Sequence, residues 1–322
     1  MKKSWRYLVA GVFVLGLILR LVGIYPGYPP DHPDEPVLEV GFSMARDRQL
    51  DPFVYNAYRF QYPGFTIYTY WAAIAGFFIP VTLAISFIQN PINFTGGAFS
   101  PGFLTTVLNG PGGINWLFWT RTLTAIVGSL SIPLVYGIGK KLFSRYAGLA
   151  AALIVAFNFR HIISSQLSLV DAPNATVALL SLLLVLIMLE RPSTKTYILA
   201  AFGVGLSIAT KFYLFSVVPF IASHGIISLR SKKFISSLVS PRVRIAVVVI
   251  GLTFLLFNPF LTFHLQTAIK QQSLNNLRYG FGSHALNWSS YTYLYEYGFG
   301  ELPTILFFVG LFVLIKNPGY FL

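Results

Sequence analysis

The chain has 322 residues, of which 55% are hydrophobic, 16% are aromatic and only 10% are charged, and its mean hydropathy is +0.67. This composition is too apolar for a soluble globular domain and predicts an integral membrane protein whose apolar runs cross the bilayer as helices. The sequence contains no cysteine, which excludes disulfides, thiolate metal sites and a cysteine nucleophile.

The formal net charge is +13, a value that nucleic-acid-binding proteins also reach. The lysines and arginines, however, fall in short clusters between apolar runs, as they do in the cytoplasmic loops of membrane proteins. We therefore interpret the charge as a signal of membrane orientation and expect no nucleic-acid partner. Lys2, Lys3 and Arg6 predict a cytoplasmic N-terminus.

The first predicted element is a helix from Trp5 to Ile24 that crosses the membrane and is retained as a signal anchor. It brings the acidic turn DHPDEP, Asp31 to Pro36, to the outer side of the membrane. The segment after Pro36, VLEVGFSMARDRQL, has apolar residues at helical spacing but is too polar to span. It therefore predicts a helix that lies on the membrane surface.

The apolar run from Phe65 to Ile88 is long enough to cross the membrane, but a crossing here would put the cluster Lys140, Lys141 and Arg145 outside. We therefore expect this run, broken at Pro80, to dip in and return or to lie as surface helices. Residues 26–115 then form one large first extracytoplasmic loop.

The later apolar runs alternate across the membrane without such a conflict. The predicted spans are Trp116 to Gly139, Tyr146 to Ser165, Pro173 to Leu189, Tyr197 to Thr210, Phe212 to Leu229, Ile245 to Phe263 and Pro303 to Ile315. We expect one transmembrane domain over residues 1–322, incomplete at its C-terminus, because the chain stops one short span after a second external loop.

Two adjacent carboxylates, Asp34 and Glu35, stand out in the first external turn. They have a simple structural interpretation, since an acid before Pro36 is a normal helix start and complements the helix dipole. The functional interpretation is a general base, or a ligand for a divalent cation that Asp34 and Asp171 would share. Adjacent residues on a helix point about 100° apart, so we assign the reaction to Asp34 and support to Glu35.

Asp171 and Lys211 each lie at the outer end of an apolar run, where a charge is costly and is often functional. Asp171 precedes Ala-Pro and is equally explained as a helix cap. Lys211 is equally explained as a lysine that extends to the interface, whereas its functional role would be to hold a phosphate.

Four other external residues are candidates for contacts with the substrate. Arg59 is a candidate for binding an anionic lipid, and His32, Tyr62 and Glu296 are candidates for lining a sugar or lipid groove. Solvation at the surface is the more common role of residues such as Arg59 and His32, and interfacial anchoring explains the same tyrosines.

Several motifs occur together in one order along the chain. HPDE, RDRQLDP and YPGF are followed by SSQLSLVDAPNATVALL, GVGLSIATKFYLFSVVP and FNPF. This arrangement resembles the GT-C glycosyltransferases of the dolichyl-phosphate-mannose-protein mannosyltransferase type and their bacterial relatives. The resemblance implies an all-α, polytopic transmembrane fold of GT-C type with surface helices in its large first extracytoplasmic loop.

The resemblance also implies an activity, the transfer of a sugar from a polyprenyl-phosphate donor to a protein, lipid or glycan acceptor outside the plasma membrane or in the endoplasmic reticulum. By position, Asp34 matches the catalytic acid of the first loop, Glu35 its neighbour and Asp171 the acid of the second loop. Lys211 matches the lysine that contacts the donor phosphate, and Arg59 lies near a second such contact. A single displacement would invert the anomeric centre.

The leading alternative function is a polytopic transporter or a flippase for lipid-linked sugars, because polar residues within spans also mark translocation paths. Against this alternative, the charges crowd one face of the membrane and the midplane is nearly empty, with Arg20, Arg121 and Arg160 as the exceptions. A third possibility is a noncatalytic membrane scaffold in which the acids only cap helices.

Overall fold

A computed structural model describes residues 3–24, 32–56, 58, 60, 62–89, 116–212, 214–230, 240–278, 305 and 308–309. Regular structure in these residues is helical throughout, with no strand among them. The principal helices are α1 (Lys3–Leu21), α2 (Pro36–Asp47), α3 (Phe65–Ala73), α4 (Ile79–Gln89), α5 (Trp116–Ser129), α6 (Ser131–Leu142), α7 (Arg145–Phe157), α8 (Phe159–Gln166), α9 (Asp171–Glu190), α10 (Thr194–Lys211), α11 (Val217–Arg230), α12 (Pro241–Leu256) and α13 (Leu265–Arg278). The predicted all-α fold is confirmed.

Within the described residues, three helical stretches are long and apolar enough to cross a membrane: Phe65–Ala84, Leu117–Leu142 and Asp171–Glu190. The pair α7 and α8 passes the same test as one span bent by 56°. These stretches confirm the prediction of a polytopic membrane protein.

The expected break at Pro80 is wrong. The helix runs from α3 into α4 without interruption, through a π-helical turn at Ile74–Phe78 in which the N–H of Ile79 bonds to the carbonyl of Ile74. Proline removes one backbone donor, and a local change of hydrogen-bond register lets a membrane helix accommodate that loss. How this helix lies relative to the membrane stays a prediction.

The bend between α7 and α8 was not predicted either, and Asn158 explains it. Asn158 has extended backbone dihedrals, so α7 ends there, and its side-chain oxygen accepts the N–H of His161 at 2.8 Å, which starts α8. An asparagine at this position is a strong helix-start signal even inside an apolar run.

α9 and α10 form an antiparallel hairpin that places charged residues at its two ends. The turn between them is closed by a capping box in which Ser193 and Thr196 satisfy each other's backbone N–H groups. Because α9 begins at Asp171 and α10 ends at Lys211, these two residues lie at the open end of the hairpin.

The loop that carries Asp34 is held onto the helices by a buried cluster on α2 and α3, with Leu38, Met44 and Ile67 fully buried. α2 crosses α3 closely at Gly41, where an added Cβ would lie 3.0 Å from the carbonyl oxygen of Ile67. Packing rather than backbone continuity therefore fixes the position of the first loop.

The YPGF and FNPF motifs meet in the fold. The backbone N–H of Gly64 donates to Oδ1 of Asn258 at 2.9 Å, and the Asn258 amide donates to the carbonyl of Phe254 at 2.8 Å. A Cβ on Gly64 would lie 2.3 Å from the carbonyl oxygen of Phe257, so only glycine permits this approach. The contact joins the first loop to the end of α12.

Candidate active site

Glu35 is buried with 2% of its surface exposed and forms a two-pronged ion pair with Arg121 of α5. Arg121 donates from Nε to Oε1 at 2.8 Å and from Nη2 to Oε2 at 2.9 Å. The carboxylate also accepts the backbone N–H of His32 at 2.8 Å and that of Ser168 at 2.7 Å. Glu35 therefore ties the first acidic turn to α5 and to the segment that leads into Asp171.

These contacts determine the protonation state of Glu35. Burial raises the pKa of a carboxyl group, but here the hydrogen bonds from Arg121 and from the backbone of His32 and Ser168 outweigh burial and lower the pKa below its ordinary value. A carboxylate held ionised by four donors is a poor proton acceptor. Its side chain does not cap α2, so the capping interpretation of Glu35 is not what the geometry shows.

Asp34 lies next to Glu35 but in a different setting. Its backbone N–H donates to Nδ1 of His32 at 3.2 Å, and its carbonyl accepts the N–H of Val37 at 3.2 Å. Its half-buried carboxylate has no hydrogen-bond or ion-pair partner among the residues that the structure describes. The backbone is thus held in place, while no described residue binds the carboxylate.

Asp171 and Lys211, 40 residues apart, form an ion pair at the open end of the α9–α10 hairpin, with Nζ 2.5 Å from Oδ1. The lysine Nζ also lies 5.6 Å from the centroid of the Tyr62 ring, a cation–π distance. The side chains remain 33% and 50% exposed for Lys211 and Asp171. The fold therefore brings together Tyr62, Asp171 and Lys211, which were predicted from three separate motifs.

The backbone after Lys211 helps to hold this pair. Phe212 adopts φ 52°, a left-handed conformation that ends α10, and its N–H bonds to the carbonyl of Ile208. Its ring contacts Phe60 at 5.6 Å and Phe254 at 6.3 Å between centroids. Because packing imposes this conformation on a bulky residue, the end of α10 and its lysine have a defined position.

The two acidic segments lie at the same end of the helices. Ser168, whose N–H binds Glu35, precedes Asp171 by three residues. Asp171 itself is not the helix cap, since Val170 occupies that position without a side-chain cap and the carboxylate faces Lys211. The site thus combines a carboxylate without a partner among the described residues, a carboxylate fixed by four hydrogen bonds, and a cation.

Three predicted site residues remain to be placed: His32, Arg59 and Glu296. The N–H of His32 donates to Glu35 and its ring accepts the N–H of Asp34, so His32 stabilises the acidic turn, and its place in a groove stays a prediction. Arg59 and Glu296 lie outside the described residues. No group of three or more His, Cys, Asp or Glu side chains in the described part of the chain is arranged to hold a metal ion.

Two arginines that the sequence left without a role have one in the structure. Arg121 completes the Glu35 ion pair, and the fully buried Arg20 donates to the carbonyls of Val155 and Ala156 and contacts Nδ1 of His161. The signal in the sequence was a charge inside an apolar run, which requires a partner. Sequence spacing does not say which partner.

Two cavities flank the start of α9. One, of about 390 Å³, is an apolar groove between α3, the α5–α6 pair and α9, with lining residues that include Tyr70, Leu130, Leu134, Pro173 and Leu180. The other, of about 420 Å³, lies between the α7–α8 bend and α9, with lining residues that include Asn158, Arg160, His161, Ser164 and Asp171. Asp171 and Pro173, two residues apart, thus each face a different cavity.

Comparison with known families gives a match over residues 106–275, to the family described as dolichyl-phosphate-mannose-protein mannosyltransferase. Neither the curated proteins nor the solved structures contain a match to the chain. The family match includes Arg121, Asp171 and Lys211 and leaves Asp34 and Glu35 outside it. Since it covers more than half of the 322 residues, the chain belongs to the dolichyl-phosphate-mannose-protein mannosyltransferase family of GT-C membrane glycosyltransferases.

Proposed function

We propose that this protein transfers a sugar from a polyprenyl-phosphate donor to an acceptor hydroxyl on the extracytoplasmic side of the membrane, with inversion of the anomeric centre. The observation that carries the proposal is that Asp34, whose carboxylate has no partner in the described part of the chain, and the cation Lys211 lie at the same end of the helices. A base and a phosphate-binding cation are what such a transfer needs.

Lys211 is the proposed contact for the donor phosphate. Its ammonium is a compact positive charge, positioned by Asp171 and by the Tyr62 ring. When the bond between the anomeric carbon and the phosphate oxygen breaks, its electron pair passes to the phosphate. A cation already in place stabilises that developing charge without reorganisation.

The apolar groove supports a lipid-linked donor. It opens among α3, α5, α6 and α9, and Pro173 in its lining is two residues from Asp171. An isoprenoid chain in this groove would have its phosphate close to the Asp171–Lys211 pair. Burial of a hydrocarbon chain contributes roughly 0.8 kcal/mol per methylene, so the groove supplies affinity that is independent of the sugar.

Asp34 is the proposed general base. It takes the proton of the acceptor hydroxyl as that oxygen attacks the anomeric carbon, and polyprenyl phosphate leaves from the opposite face. One displacement of this kind inverts the anomeric configuration. Glu35 positions Asp34 through its four hydrogen bonds and transfers no proton itself.

The basic residues support the proposed topology. Lys140, Lys141 and Arg145 lie at the junction of α6 and α7, and Arg191 lies at the opposite end of α9 from Asp171. The excess of basic residues at that end favours a cytoplasmic location for it. Asp34 and Lys211 would then face the outside of the plasma membrane or the lumen of the endoplasmic reticulum.

The test is the turnover of Asp34→Asn with a labelled polyprenyl-phosphate mannose donor. The matched control is Asp47→Asn, at the far end of the α2 helix that Asp34 precedes. We expect the Asp34 variant to lose about 10²–10⁴-fold in kcat and the control to retain its activity, because Asp47 is paired with Arg46 on the surface. Near-normal turnover of Asp34→Asn would exclude Asp34 as the base. Movement of the carrier across the membrane without cleavage would instead favour the flippase alternative.

A further inference from the structure

A third cavity lies at the end of the helices opposite to the Asp171–Lys211 pair. It has a volume of about 650 Å³ and is formed where α9 and α11 end and where α10 and α12 begin. Its lining includes Glu190, Thr194, Ser228, Arg230 and Arg242. The proposed transfer reaction uses none of these residues.

The charges around this cavity do not cancel. Glu190, its acidic residue, is already paired with Lys141, with Nζ 2.5 Å from Oε2. Arg230 and Arg242 come from two different helices, and neither has a carboxylate partner within the described residues. The cavity therefore has two positive charges that a bound anion would neutralise.

Two helix starts add to this positive character. α10 begins at Thr194 and α12 begins at Pro241, and both residues line the cavity. The N-terminus of each helix carries roughly half a positive charge, which favours a bound anion. Arginines that only extend to the membrane interface do not require helix N-termini beside them, so the combination favours an anion site.

Three polar side chains in the cavity wall are linked by hydrogen bonds within the helix bundle. The Tyr197 hydroxyl bonds to Nδ1 of His224 at 2.7 Å, and Nε2 of His224 lies 3.4 Å from the Ser228 hydroxyl. Because Ser228 donates its proton to the carbonyl of His224, its oxygen is the acceptor for Nε2–H. Burying these hydrogen-bonded polar side chains in a membrane helix bundle costs free energy, and such buried polar groups are typical of a functional site.

We propose that this cavity binds a phosphate group, the chemistry shared by the headgroup of an anionic phospholipid and by free phosphate. The arginines bind the phosphate oxygens, and the volume is within the range of about 300–1,000 Å³ for ligand sites. Basic pockets between helices at the cytoplasmic surface commonly bind anionic lipid headgroups. The site is separate from the reaction centre and does not depend on the proposed transferase activity.

The test uses the purified full chain in detergent, with thermal unfolding followed as phosphatidylglycerol, phosphatidylcholine or inorganic phosphate is titrated. We expect a saturable rise in Tm with phosphatidylglycerol and none with phosphatidylcholine. The double variant R230Q/R242Q should need about 30-fold more phosphatidylglycerol for half of the effect, from roughly tenfold per 1.4 kcal/mol and about 1 kcal/mol per basic residue.

The matched control is R191Q/R244Q, which removes two arginines from the same end of the helices and outside the cavity lining. We expect this control to keep the wild-type response. A saturable response to inorganic phosphate alone, lost in R230Q/R242Q, would assign the site to free phosphate. Equal losses in both double variants, or no response of the wild-type protein to either phosphate source, would overturn the proposal.

Discussion

Asp34 and Glu35 are neighbours in the chain, and their environments separate their roles. Glu35 is 2% exposed and accepts four hydrogen bonds, two of them from Arg121. Asp34 is held only through its backbone, and within the described residues its carboxylate has no partner. A buried ion pair costs desolvation, so this one is better explained by the position it imposes on Asp34 than by stability alone.

Removing the charge of Glu35 should destabilise the protein strongly. Glu35→Gln removes the carboxylate that forms the buried ion pair with Arg121, and we expect a loss of about 3–5 kcal/mol in the free energy of unfolding. Thermal unfolding in detergent measures this loss. The double variant E35Q/R121M removes both charges and should recover part of it, and a double variant worse than E35Q would contradict a direct coupling.

The same pair predicts a pH dependence of stability. Because the pKa of Glu35 is lowered in the folded state from an ordinary value of 4.5, its contribution is complete above that value and is lost as the pH falls through the lower folded pKa. We expect the Tm of the wild-type protein to fall more steeply below pH 4.5 than that of E35Q. Parallel curves for the two proteins would show that other groups govern acid unfolding.

Lys211 should affect activity more than stability. Its ion pair with Asp171 is partly exposed, and pairs of this kind contribute about 0–1 kcal/mol to folding. We expect Lys211→Met to lower kcat/KM about 10²–10³-fold, as the loss of one transition-state charge contact does, with little change in Tm. Lys195→Met, at the other end of α10, is the control and should leave both unchanged.

Arg20 determines how two helices meet at the α7–α8 bend. The last carbonyls of α7 have no partners within the helix, and Arg20 supplies donors to Val155 at 2.9 Å and to Ala156 at 3.3 Å. Its contact with Nδ1 of His161, at 3.0 Å, extends the support into α8. This bend borders the cavity that Asp171 also lines.

Replacing Arg20 should therefore affect both the fold and the site. Arg20→Leu leaves two carbonyls and His161 without their donor, and we expect a loss of at least about 3 kcal/mol in stability, at 1–3 kcal/mol per orphaned group. Arg6→Leu, at the exposed start of the same helix, should have almost no effect. Unchanged unfolding of Arg20→Leu would mean that the helix bend needs no cap.

The whole molecule places its site by joining segments that are far apart in sequence. Glu35 binds Arg121 across 86 residues and Ser168 across 133, and Gly64 binds Asn258 across 194. Each contact is a hydrogen bond between buried groups, so each position is sharply defined. Tyr62 reaches Lys211 because its loop is anchored at Gly64.

A substitution at Gly64 should test the contact between Gly64 and Asn258. In Gly64→Ala the new Cβ would lie 2.3 Å from the carbonyl oxygen of Phe257, so the loop must shift. We expect a loss of about 1–3 kcal/mol in stability, the usual cost of overpacking, and a higher KM for the donor. Gly76→Ala meets nothing within 4 Å and is the matched control. Equal effects of the two substitutions would contradict the contact.

The sequence by itself determined the class of the protein, the family and the order of the motifs. Apolar run length and clusters of basic residues are local properties that lipid and water select directly, so the all-α membrane fold is readable from them. The positions of Asp171 and Lys211 at the ends of apolar runs were readable for the same reason. The motifs that contain Glu35 and Asn258 were also recognised in the sequence, but their partners, Arg121 and Gly64, were not predicted.

Only the tertiary structure decided which charges pair. The carboxylates of Asp34 and Glu35 have the same chemistry, and what separates them is the position of Arg121 and Ser168. The continuous helix through Pro80 likewise depends on the π-helical turn at Ile74–Phe78, which no pattern in the sequence predicts. Partners distant in sequence come together through packing of the whole chain, and packing sums many weak contacts that a local pattern does not contain.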